Sequence, residues 1–406
     1  MNGNDFSPLE QKGIMQNGSY VKTTAFYAEG DGTKRNIRIM PEVRQVTSLS
    51  EYFALLKEIH TKNDERLKNE KKELGSLFLY RGQGDVNFDY SPTILRNEKN
   101  ICREHILQKE FHRRFFEQMD NFKTVFDEEV LMQHYGVGSR CLDLLESPLM
   151  ALWAACETES NEEFKETFGE VSFWKLDYDD DDLKSYDSST VSVIANTAVC
   201  ERSFYLGHVD FNYRKEHPKV LEDFIYLKDI LRRTVIVRPK YNNIHFRNQL
   251  NCFAIVNLNR LVDEDGSFYK KFGITVEKFS DYILNAEVLN KGKGNDYTKP
   301  NISRLSRGLH TLNADFSKLE QWDLRFEKMI PSDSPFVDTF DLYRYMYNGS
   351  AMENERKPIY AVIPPEAKEN IIKELAFANI TKSTVYPDMN VVAEEMLKQY
   401  ALNENL

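Results

Sequence analysis

The sequence predicts an α+β fold, with a mixed or antiparallel sheet core, flanking helices and one large insertion. Short apolar runs of strand length, at 77–80, 171–176 and 359–363, are interspersed with capped segments of helical period. They do not alternate strictly as strand and helix, as a doubly wound parallel sheet requires. With 406 residues, 41% of them hydrophobic, the chain has ample material for a packed core.

The elements follow in order. Residues 1–38 are polar and rich in turn signals, and read as a tail or short hairpin. Ser48 and Glu51 form a capping-box pattern ahead of Tyr52, Phe53, Leu55, Leu56 and Ile59, one apolar helix face. Lys68–Lys72 reads as its charged, solvated end. Leu77–Tyr80 is a short strand running into Arg81-Gly82-Gln83-Gly84. Apolar positions at 107, 111, 115, 119 and 122 predict a helix with Phe111, Phe115, Phe116 and Phe122 in the core. A further helical stretch, Glu128–Tyr135, is stopped by Gly136 and Gly138. Ser147-Pro148 is an N-cap with proline at the first helical position, opening an apolar helix to about Glu157. Strands are expected at Val171–Leu176, Val191–Ile194, Arg233–Val237, Phe253–Val256 and Ile359–Ile363. Pro365 opens a helix through Ala378, and a last helix runs to about Tyr400. The core is then 39–257 with 355–406, and 258–354 is an insertion or subdomain.

Composition narrows the function. A net charge of −11 argues against a general basic surface for nucleic acid. No apolar run approaches the ~20 residues of a membrane span, and Met1–Gly18 lacks the pattern of a secretory signal. The five cysteines form no CxxC pair, so free thiols are expected and no zinc site. The acidic run 177–182 lacks calcium-loop spacing, so no metal is expected. Together these predict a cytoplasmic protein in a reducing compartment.

One stretch is dense in polar chemistry: Gln133-His134-Tyr135-Gly136-Val137-Gly138-Ser139-Arg140-Cys141-Leu142-Asp143. Beside the apolar segment that follows, such groups must be satisfied by one another or by a ligand. Several roles stay open. Arg81 either binds a ligand or pairs with Asp143. His134 is a core histidine or a base, and Gln249 is functional or structural. Arg140 reads as scaffold for the Gly136–Gly138 turn. The basic residues Arg232, Arg233, Arg238 and Lys240 read as a solvated strand edge.

Phe78-Leu79-Tyr80-Arg81-Gly82-Gln83 resembles the Phe/Tyr-Arg-Gly-Gln signature of the FRG domain family. The Gln133–Asp143 stretch resembles its Gln-His-Tyr-Gly-Leu-Pro-Thr-Arg-Leu-Leu-Asp motif, and Ser147–Ala155 the helix after it. Arg247–Phe253 and Tyr386–Met389 are similar to later family elements. Gly138-Ser139 replaces Pro-Thr, Leu144-Leu145 replaces Trp-Thr, and Asn251 replaces a glycine.

The order of Arg81, Ser139 and Gln249 also resembles ADP-ribosyltransferases of the Arg–Ser–Glu type. This second resemblance implies an ADP-ribosyltransferase-like fold and NAD as substrate. Arg81 would hold the pyrophosphate, because a guanidinium is bidentate and permanently charged. Gly82, with Gln83 beside it, would let the dinucleotide approach. Ser139 would bind the ribose or orient the catalytic group, and Tyr135 or His134 would stack on the nicotinamide. The carboxylate that stabilises the oxocarbenium-like ribose would be Asp143 or Glu287, with Gln249 in the family's glutamate position. Transfer to a macromolecule, protein or nucleic acid, would fit an intracellular toxin or anti-phage effector. The alternative class is a non-catalytic module that binds a nucleotide or a partner, favoured by the missing glutamate. A nuclease is disfavoured by the lack of a metal-ligand constellation in the sequence.

Overall fold

A computed structural model describes residues 42–116, 124–201, 203–205, 234–240, 251–261 and 358–386, apart from single positions. It also describes short strands within 14–39, at 325–328 and at 355–356, together with Tyr345, Tyr347 and 391–392.

Eight strands make one mixed sheet. They are β1 (Glu42–Gln45), β2 (Ser76–Gln83), β3 (Cys141–Leu145), β4 (Gly169–Asp177), β5 (Leu183–Ser185), β6 (Val235–Arg238), β7 (Asn251–Ile255) and β8 (Ile359–Ile363). Across the sheet they run β1-β8-β4-β2-β3-β7-β6-β5. Both edge strands pair in parallel, β1 with β8 and β5 with β6. The pairs between them are antiparallel.

The principal helices are α1 (Leu49–Glu70), α2 (Glu98–Arg114), α3 (Val125–His134), α4 (Pro148–Cys156), α5 (Ser189–Asn196) and α6 (Pro365–Phe377). Strand alternation sorts the core into two clusters. On β2, Phe78 and Tyr80 join Tyr52 and Leu55 of α1, Ala151 and Ala155 of α4 and Ile371 of α6. Leu77 and Leu79 join Leu142 and Leu144 of β3, Trp174 of β4, and Tyr90, Ile94 and Ile101.

Two glycines let α4 lie against the sheet. A Cβ on Gly82 would stand 1.8 Å from the Ala151 carbonyl oxygen, and one on Gly169 would stand 2.1 Å from that of Ala155. Ala151 and Ala155 are one helical turn apart, so a single face of α4 rests on both positions.

The ladders are uneven. β2 pairs with β4 from Ser76↔Asp177 to Gln83↔Glu170. Its pairing with β3 is confined to Tyr80↔Leu145. β3 pairs along its length with β7, from Asn251↔Leu145 to Ile255↔Cys141. Two well-laddered halves therefore meet at a seam between β2 and β3.

The α+β expectation and the mixed sheet hold, and several local expectations are corrected. Val191–Ile194 lies in helix α5, because Ser188 caps it by accepting the Val191 amide at 3.3 Å. Cys141–Leu145, given no element from the sequence, is a strand, whereas the helix starts at Pro148 with Ser147 as its cap, as expected. Ser48 does cap α1, but Glu51 reaches back to the Thr47 amide, at 2.8 Å, rather than to Ser48. Phe111 is buried, whereas Phe115 and Phe116 are 39% and 61% exposed, because α2 ends at Arg114. Phe122, Arg232, Arg233, most of 258–354 and the final helix lie outside the described residues. Tyr345 and Tyr347 are buried and hydrogen-bond through their backbones to Lys175 and Phe173 of β4, at 2.7 and 2.8 Å. Of 1–38, Thr24–Gly30 and Thr33–Ile39 form a hairpin. The five cysteines are free thiols, four of them buried.

Gly82→Ala should destabilise the fold by about 3 kcal/mol, since the new methyl meets backbone on a packed helix. Gly75→Ala, whose nearest neighbour is the Tyr178 ring at 3.8 Å, should change little. Urea unfolding of the two variants measures the difference.

Candidate functional site

Where a strand pair stops, its backbone groups need other partners. At the seam, Arg81 Nη1 donates to the Asp143 carbonyl oxygen at 2.9 Å. A side chain of β2 thus takes a place that a ladder bond would otherwise fill. Arg81 and Asp143 are both half-buried. Gln133, one residue before the end of α3, donates from Nε2 to Asp143 Oδ2 at 3.3 Å and accepts from Thr93 Oγ1 at 3.0 Å. Burial pushes the Asp143 carboxyl above the usual aspartate range. Arg81, the Gln133 hydrogen bond, His134 and Arg96 pull the other way. Tyr386 reaches the same place from the chain's far end. Its phenol is raised by burial and then by the charges of Glu157 and Asp143, and its ring stands edge-on to Trp153 at 5.6 Å.

The middle of the second motif has another environment. Arg140 is fully buried and bidentate to Glu104 of α2, with Nε–Oε1 at 2.6 Å and Nη2–Oε2 at 2.7 Å. Its Nη1 donates to the Ile194 carbonyl at 3.1 Å and to Thr197 Oγ1 at 2.9 Å. Its backbone amide donates to Glu129 Oε2 at 2.9 Å. Glu129, on α3, also receives Gln108 Nε2. The Ser139 hydroxyl lies 2.7 Å from Glu129 Oε2 and accepts the Cys141 amide at 3.1 Å. Burial, then the charge of Glu104, raises the Glu129 carboxyl to about 7.

These two environments divide the predicted site residues. Arg81, Asp143 and His134 come together at the seam. Ser139 does not join them as a ribose contact, because it is fully buried and its hydroxyl is engaged within the Arg140 cluster. The close approach that Gly82 permits is that of α4 rather than of a dinucleotide. Gln83 is buried and donates to the Phe88 carbonyl at 3.3 Å, holding the loop after β2. Tyr135 is exposed and stacks on Phe115, with ring centres 6.3 Å apart and planes 4° from parallel. Gln249 and Glu287 lie outside the described residues. Arg140 is scaffold, as expected, but it holds α2 and the end of α5 rather than the glycine turn. Sequence reasoning missed Gln133 as the Asp143 partner, together with Arg96, Tyr386, Glu104 and Glu129. The sequence carried no clear signal for Glu129, which stands in an acidic run with Asp127 and Glu128; its burial is decided by the fold. Among the described residues no cluster of His, Cys, Asp and Glu could hold a metal ion, and no helix is long and apolar enough to cross a membrane.

Glu104→Ala strands a buried guanidinium and should lower stability by about 3–5 kcal/mol in chemical unfolding. Glu129 gives a pH signature. Its carboxyl titrates near 4.5 when exposed and near 7 in the fold, so folding takes up a proton between these values. Its contribution is complete below about 4.5 and is lost as pH rises through about 7. Glu129→Gln should flatten this slope in unfolding curves taken at pH steps across that window.

No curated protein and no solved structure matches the chain. Residues 76–164, from the start of β2 through the second motif and α4, match the family model of the FRG domain, so both sides of the seam lie within an FRG domain.

Proposed function

We propose that the chain binds NAD at the β2–β3 seam and transfers its ADP-ribosyl group to a macromolecule inside the cell, as a toxin or anti-phage effector would. The observation that carries this is the meeting of Arg81 with Asp143, 62 residues away, with Gln133 and His134 around them. A cation and a carboxylate side by side are what the donor needs. Arg81, oriented by its bond to the Asp143 carbonyl, holds the diphosphate. Asp143 faces the ribose and stabilises the positive charge that develops there. The bond between ribose C1′ and the nicotinamide nitrogen breaks, and nicotinamide leaves with the electron pair. A new bond forms from C1′ to the acceptor's nucleophile, whose proton passes to Asp143 or to water. His134, whose charge acts on the Asp143 carboxyl, supplies aromatic surface for the nicotinamide.

A second reading, a nucleotide-binding module without turnover, is favoured by the burial of Ser139. One experiment separates the two. Labelled NAD is incubated with the protein and cell lysate, and both labelling and nicotinamide release are followed. Transfer predicts label that falls by about 10²–10³ in Arg81→Ala and Asp143→Asn. NAD binding without release selects the second reading, and absence of binding overturns both. Activity should fall as pH drops through the raised Asp143 value. Because Arg81 lowers that value, Arg81→Ala should move the acid limb of any residual activity upward.

A further inference from the structure

Two carboxyl groups and one guanidinium share the buried cluster ahead of β3: Glu104, Glu129 and Arg140 are each fully buried. Glu104 takes the fork of the guanidinium through both of its oxygens, so those two charges offset each other. Glu129 receives the backbone amide of Arg140 instead. Of the charges acting on the Glu129 carboxyl, that of Glu104 opposes ionisation more strongly than that of Arg140 favours it. The neighbouring Cys141 and Cys200 are buried free thiols. On its own helix, Asp127 and Glu128 accept from Thr124 and face His112. A carboxylate without a countercharge is costly away from water.

The hydrogen bonds mark where a proton fits. Glu129 Oε2 accepts from the Ser139 hydroxyl at 2.7 Å and from the Arg140 amide at 2.9 Å. Its Oε1 faces the side-chain amide of Gln108, one turn beyond Glu104 on α2. The Gln108 amide oxygen is buried and meets no donor among the described residues. The two ends of a glutamine amide have nearly the same shape and exchange by rotation about one bond. With its nitrogen inward, Gln108 donates to a carboxylate. Turned over, its oxygen accepts from a carboxylic acid. An ionised Glu129 with three donors is the ordinary arrangement, but it leaves one negative charge unmatched and the amide oxygen without a donor. A neutral acid removes the charge and supplies that donor.

We infer that Glu129 is a neutral acid in the folded protein and that Gln108 accepts its proton, so that a proton shut inside the core holds the second motif in place. Glu129 also holds Ser139 and the Arg140 amide just ahead of β3, so loss of the proton loosens the start of β3. The raised Glu129 value, about 7, agrees with this. The inference stands apart from the nucleotide reading of the seam.

Infrared difference spectra of the full chain across pH test the proton. The unaltered protein should show a protonated-carboxyl band that is lost as pH rises through about 7 and is missing from Glu129→Gln. That variant reproduces the acid, because its nitrogen can donate to the Gln108 oxygen while its oxygen accepts from Ser139 and Arg140. Above pH about 7 it should unfold at a midpoint equal to or higher than that of the unaltered protein. A lower midpoint, or a variant that does not fold, shows that the anion is needed and overturns the inference, as does a spectrum without the band. Amide exchange tests the link to the sheet. Corrected for its intrinsic pH dependence, protection of β3 relative to β4 should fall between about 4.5 and about 7, by up to about tenfold per pH unit, and stay constant in Glu129→Gln. Protection of β3 that tracks β4 across that window overturns the link.

Discussion

Arg140 carries its charge at a position shut off from water, and such a charge is tolerated only when it is paired and hydrogen-bonded. Its partners come from several directions. Glu104 on α2 takes the fork of the guanidinium, and the carbonyl of Ile194 on α5 and the Thr197 hydroxyl take its other end. Glu129 on α3 receives the amide of the same residue. Displacing any of these elements would leave a buried charge or donor without its partner. The two helices before the second motif and the helix after β4 are therefore tied to the residue that immediately precedes β3.

That constraint explains the seam. The cluster fixes β3 from its N-terminal end, and the β7 ladder holds it along one edge. β2 is fixed by other forces: its ladder with β4, and the contact of Gly82 with the backbone of α4. Each half is satisfied within itself, and the two share the pair Tyr80↔Leu145. Beyond it, Arg81 turns to the Asp143 carbonyl, and Asp143 directs its carboxylate to Gln133. The result is a half-buried cation and carboxylate on a rigid frame, with a histidine and a second arginine acting on the same carboxyl. Burial raises the Asp143 carboxyl while the neighbouring cations restrain it, a balance that suits a group able both to stabilise positive charge and to accept a proton.

Much of the local architecture was legible. Ser48, Ser147 and Pro148 mark helix starts because a cap is decided within three or four residues of chain. Gly136, at φ +68°, ends α3 because the left-handed conformation there suits glycine. The strands at 77–80, 171–176 and 359–363 were plain from their apolar residues. Val191–Ile194 misled for a related reason: β-branched residues resemble a strand, yet the Ser188 cap and the burial of that segment make a helix.

By itself, the sequence determined the two motifs, their order, the α+β class and the identity of the groups available for chemistry, because these depend on residue type and on neighbours a few positions away. Only the tertiary structure decided which of those groups face each other. Ser139, Arg140 and Asp143 lie within five residues, yet the first two are sealed among Glu104 and Glu129 while the third reaches Arg81. What each of these residues meets is set by chain 36 or 62 residues away. No local pattern carries that information; it comes from two halves of a sheet that are each fully paired and almost do not pair with each other.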